Sequence, residues 1–160
     1  MSAIPIIRQD GEGERMWFAG GGTITWKATG EETNGAFLLF EDYMEQGKVT
    51  PLHSHPEDET IYVLEGELLV HIEGEQHQVK AGGLFVAPRG YPHAFMVVSE
   101  SARIIALQTP GTGEDFYREC GEPASDDNAT RPADFALLRQ VAERSPSIEL
   151  LGPPPFHATA

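Results

Sequence analysis

At 160 residues, 40% of them hydrophobic, the chain fits one soluble domain with a single sizeable core. Its formal net charge of −14, from 25 Asp and Glu against 11 Lys and Arg, excludes a nucleic-acid or anionic-membrane partner, since both demand clustered cations to offset phosphate. No apolar run reaches the length of a membrane span, the stretch from Met1 to Pro5 lacks a secretory start, and the single Cys120 forbids an internal disulfide, so a cytoplasmic location is expected.

Residues 1–22 are mixed and end in the turn Gly20-Gly21-Gly22. Ile24, Trp26 and Ala28 then alternate with Thr23, Thr25 and Lys27, the period-two signature of a strand. A polar turn over 30–35 leads into an apolar, aromatic run from Ala36 to Tyr43, read as a strand buried on both faces. Strands follow over 59–64, 68–72 and 76–80, parted by turns at Gly66 and Gly74, and again over 84–87, 93–98 and 103–109. So many short strands at close spacing predict an antiparallel sandwich or barrel. Beyond Thr109 the pattern breaks. Residues 121–132 read as an exposed loop, and Pro132 opens a predicted helix with Phe135, Leu138 and Ala142 on one face. The helix ends at Ser145-Pro146, and an apolar, Pro-rich tail runs from Ile148 to Phe156. Helix and tail are expected to pack on the barrel or across its mouth. The predicted organisation is N-terminal strands and turns over 1–35, a barrel core over 36–110, and a loop, helix and tail over 111–160.

The chemistry concentrates between His53 and Glu65. His53 and His55 stand two apart on an extended segment, so their side chains share a face about 6–7 Å apart. That separation lets both imidazoles reach one metal ion, and Glu59 adds an oxygen after a short turn. His71, His77 and His157 read as ordinary residues, Cys120 lies outside this block, and Glu57 and Asp58 are expected to face solvent. By strand parity Ile61 and Val63 share a face with Glu59, and Phe95 and Val97 share one with His93. With Phe37, Leu39 and Phe85 they form the expected substrate pocket, apolar and suited to an aromatic ligand; Tyr43 and Met96 are further candidates.

The spacing Gly47-x5-His53-x-His55-x3-Glu59-x6-Gly66 resembles the first motif of the cupin superfamily at every fixed position. Gly82-x5-Pro88-x-Gly90-x2-His93 resembles the second, departing from it at Val97, where the family usually has Asn. The resemblance implies an all-β double-stranded β-helix, the jelly-roll cupin barrel, here followed by the C-terminal helix and tail. It implies His93 as a fourth ligand beside His53, His55 and Glu59. Three nitrogens, one oxygen and no sulfur suit one divalent transition metal: Fe, Mn, Ni, Co, Cu or Zn. The chain is similar to small quercetinase-like cupins, which implies a metal-dependent dioxygenase acting on an aromatic enol or flavonol, with Glu59 as the catalytic proton acceptor. The same ligands would serve a redox-neutral isomerase, cyclase or hydrolase, and the fold also hosts non-catalytic binding modules. The resemblance further implies a homodimer joined through sheet edges.

Overall fold

The computed structural model describes residues 2–156. Ten strands come first in chain order: β1 (Arg15–Phe18), β2 (Thr23–Ala28), β3 (Leu38–Glu45), β4 (Leu52–Ser54), β5 (Asp58–Glu65), β6 (Glu67–Ile72), β7 (Glu75–Lys80), β8 (Leu84–Ala87), β9 (His93–Val97) and β10 (Ser101–Thr109). Then come α1 (Glu114–Glu119), β11 (Gly121–Pro123), α2 (Phe135–Arg144) and β12 (Glu149–Gly152). They make two antiparallel sheets, one ordered β11-β1-β2-β3-β10-β5-β8 and the other β12-β4-β9-β6-β7. The fold is a double-stranded β-helix with a C-terminal helix. His157 lies outside the described residues.

Alternation drives the packing. β2 buries Ile24, Trp26 and Ala28, and β10 buries Ala102, Ile104, Ala106 and Gln108. Each strand thus gives one face to a shared core and one to water or to partial cover. β3 departs from the sequence expectation. It buries Leu38, Phe40, Asp42 and Met44 while Tyr43 is exposed, so it is buried on one face and not two. The charged residues at its odd positions, Glu41 and Glu45, mark that outer face.

Four short elements were not anticipated: β1, α1, β11 and β12. A strand of three or four residues is too short to display a period, and a six-residue helix spans less than two turns. Residues 121–123, expected as loop, pair with β1, with Glu122 opposite Trp17. The helix begins later than Pro132 suggested. Asp134 is its N-cap, and its side chain accepts a hydrogen bond from the Leu137 amide at 3.0 Å. Leu138 and Val141 are its buried residues, whereas Phe135 remains 40% exposed. The apolar tail is a strand: β12 pairs with β4, placing Leu150 opposite His53.

The turn from β5 to β6 depends on Gly66. Its φ is +86°, and a Cβ there would lie 2.3 Å from the Ser101 carbonyl oxygen. Gly66→Ala combines left-handed strain with a backbone clash that no rotamer relieves. It is expected to lower stability by on the order of 2–3 kcal/mol. Thermal unfolding checks this, and an unchanged midpoint would mean that the turn relaxes freely.

Candidate metal centre

Three imidazoles converge inside the barrel. β4 carries His53, β9 carries His93, and the two are directly opposed in an antiparallel pair. Ser54, itself buried, takes the opposite side between His53 and His55, so both rings point to one side. Ligand atoms of His53, His55 and His93 all lie within 4.8 Å of one another, and all three residues are buried. Glu59, at the start of β5, reaches two of them. Its Oε1 is 3.5 Å from His93 Nε2 and its Oε2 is 3.6 Å from His55 Nε2. Neighbouring ligand atoms each about 2.1 Å from one tetrahedral ion lie roughly 3.4 Å apart, so these separations fit a shared ion.

The ring orientations fit the same conclusion. His53 Nδ1 lies 2.8 Å from the Pro51 carbonyl oxygen, His55 Nδ1 3.0 Å from that of Glu57, and His93 Nδ1 2.8 Å from that of Tyr91. A carbonyl can only accept, so each Nδ1 carries the proton and each Nε2 presents a lone pair inward. Nε2 of His55 and of His93 is buried with no hydrogen-bond partner among the described residues. A buried nitrogen lone pair left open is costly unless something takes it, and a divalent metal is the fitting acceptor for three imidazoles and a carboxylate.

Electrostatics favour ligation. Burial, aided by the nearby His93, lowers the His53 pKa to about 3, so its ring is neutral. Burial alone would raise the Glu59 pKa. The closeness of His93 and His55 and the hydrogen bond from the Gln108 amide outweigh it and hold the carboxyl below the usual range. For His93 burial works downward, and its contacts with Glu59 turn the net shift upward.

A second layer holds the ligands. Gln108 stands opposite Glu59 in the β10–β5 register, and its Nε2 donates to Glu59 Oε2 at 2.5 Å and to the Tyr117 hydroxyl at 2.7 Å. Glu57, expected in solvent, is only 1% exposed. Its Oε1 accepts from the Thr112 hydroxyl at 2.7 Å, and its Oε2 lies 3.5 Å from His55 Nδ1. Asp58 is the partly exposed member of that pair and binds Arg89 at 2.9 Å. Gln108→Leu removes the donor that orients Glu59. Turnover at full metal loading is expected to fall by about 10–100-fold, the usual size for losing such a partner. Steady-state rates with metal content measured alongside decide it; an unchanged rate would make the Gln108 contact incidental.

A cavity of about 70 Å³ opens beside His53 and Glu59. Of the expected pocket residues, Ile61 and Phe95 line it. Val63, Phe85 and Val97 are packed into the core outside its lining. Phe37 and Leu39 are half-buried and also outside it, because β3 points its even positions inward. Phe40 and Asp42 take their place. The remaining aromatic wall comes from Phe18, Phe116 and Tyr117, and Leu138, Ile148 and Leu150 bring α2 and the tail to it. Lys48 completes the lining. Its signal was in the sequence, as a cation inside the motif block of an acidic chain.

A family model described as "Cupin domain" matches residues 40–107. The chain is 27% identical over 122 residues to the quercetin 2,3-dioxygenase of Bacillus subtilis, covering 76% of this chain and 36% of that protein. It is 33% identical over 76 residues to the HTH-type transcriptional regulator PuuR of Escherichia coli, covering 47% of this chain and 41% of that protein. The chain therefore spans well under half the length of these curated relatives. Among solved structures, an RmlC-like cupin from Shewanella frigidimarina aligns with TM-score 0.63 at 22% identity, covering 72% of this chain and 99% of that one.

Proposed function

The chain belongs to the cupin superfamily, and from that premise we propose that it is a metal-dependent dioxygenase acting on an aromatic enol or flavonol-like small molecule. The observation that carries the proposal is the cluster of buried histidines with Glu59, of which His53 and Glu59 face a cavity walled by Phe18, Phe40, Phe95, Phe116 and Tyr117. The similarity to a quercetin 2,3-dioxygenase supports the reaction class.

In this reading His53, His55, His93 and Glu59 hold one divalent transition metal. Such an ion supplies a Lewis acid that makes a hydroxyl more acidic at neutral pH. Glu59 accepts the enol proton, since its carboxyl is ionised and within the same buried space. Gln108 keeps that carboxylate aimed by holding Oε2. The aromatic walls stack against the ring and exclude water. The test pairs elemental analysis of the purified protein with an oxygen electrode over a panel of enols and catechols. Stoichiometric metal with substrate-dependent oxygen uptake supports the proposal; conversion without oxygen uptake points to redox-neutral chemistry.

The similarity to a transcriptional regulator favours a second reading, a non-catalytic module that binds a small molecule. Saturable binding of a panel compound with no product formed would support it.

A further inference from the structure

Two charged side chains in the cavity are not used by the chemistry above. Lys48 and Asp42 have side chains only 7% and 4% exposed, and their nearest charged atoms are 3.7 Å apart, beyond hydrogen-bond reach. Asp42 Oδ1 is buried with no hydrogen-bond partner. Lys48 Nζ has one acceptor within reach, the Met44 sulfur at 3.4 Å, and thioether sulfur is a weak acceptor. The ammonium also lies 4.6 Å from the centre of the Phe95 ring, a contact that favours a cation. Both residues line the cavity together with His53 and Glu59.

A loosely joined buried ion pair is a poor stabiliser, because desolvation outweighs the attraction unless geometry is tight. Here burial lowers the Lys48 pKa and raises that of Asp42 to about 7, with each partner only partly opposing the shift. Mutual attraction therefore does not explain why the pair is retained. A ligand would. An anionic oxygen placed against Lys48 fills its open donors.

We propose that Lys48 makes this cavity selective for an aromatic ligand bearing an anionic oxygen, with the anion on Lys48 and the ring against Phe95. This deepens the dioxygenase reading by naming the substrate class and rests on that reading for the term substrate. The test is binding and not turnover, so failure of the dioxygenase reading leaves it standing.

Calorimetry compares benzoate and salicylate with neutral benzamide, on the metal-loaded and the metal-free protein. Both anions should bind about tenfold or more tighter than benzamide in either state, the scale of a charge-assisted hydrogen bond. Lys48→Met alone strands a buried carboxylate and can unfold the chain, so the informative variant is Asp42→Asn with Lys48→Met, which keeps both shapes without charge. That variant should bind benzamide as the parent does and lose the preference for anions. A parent that binds benzamide as tightly as benzoate, or binds neither, overturns the proposal without any variant. So does a double variant that keeps the preference, and so does a preference present only in the metal-loaded protein, which would assign the anion to the metal.

Discussion

Glu59→Gln is expected to lower turnover by roughly 10²-fold or more, the size usual for losing a general base, with a smaller loss of metal affinity. The substitution keeps the shape and one weak oxygen ligand while removing the negative charge. It also disturbs the contact with Gln108, whose Nε2 now donates to Glu59 Oε2. A glutamine at 59 can present its oxygen to Gln108 only by turning its own amide nitrogen toward His93, whose Nε2 carries a lone pair. Both effects act on proton transfer. The comparison is made at full metal occupancy, so that lost ligation is not mistaken for lost basicity. A fully loaded variant consuming oxygen near the parent rate would leave Glu59 with no role in accepting the proton.

Replacing His53 and His55 together by Ala is expected to empty the site, taking metal content from one per chain to near zero. The two residues supply half of the proposed ligands, and the remaining pair, His93 and Glu59, is already in mutual contact at 3.5 Å. Elemental analysis after dialysis reads the result, and stoichiometric metal in the double variant would refute the assignment. Circular dichroism should show the sheets intact, because neither substituted side chain belongs to the apolar cluster that joins the sheets.

The motif residues were legible because their geometry is local. Two histidines on one extended segment, a glutamate four residues on and a turn glycine need only the period of extended chain to be placed. The partners of those residues were not legible. Gln108 meets Glu59 through the register of β10 on β5, and nothing in the sequence fixes that register across 49 residues. Tyr117 arrives on α1, whose six residues show no period. Asp42 could have been found. It sits at the same parity as Leu38, Phe40 and Met44, but taking Phe37 and Leu39 as the inward residues placed it on the wrong face. The tail was legible as apolar but not as a strand, because its pairing with β4 joins residues about a hundred positions apart in sequence.

The backbone carbonyls behind the three histidines separate folding from loading. Those rings are aimed by the carbonyls of Pro51, Glu57 and Tyr91, and by the pairing of β9 with β4 and β6. In small zinc modules binding energy is folding energy, and a chelator denatures the protein. Here a chelator should strip the site and leave the sheets standing. One stripped preparation could then be refilled with iron, manganese, nickel, cobalt, copper or zinc in turn. Which ion the protein carries in a cell would follow from which ions are on offer when the finished barrel meets them, with the polypeptide acting as a socket and not as a mould.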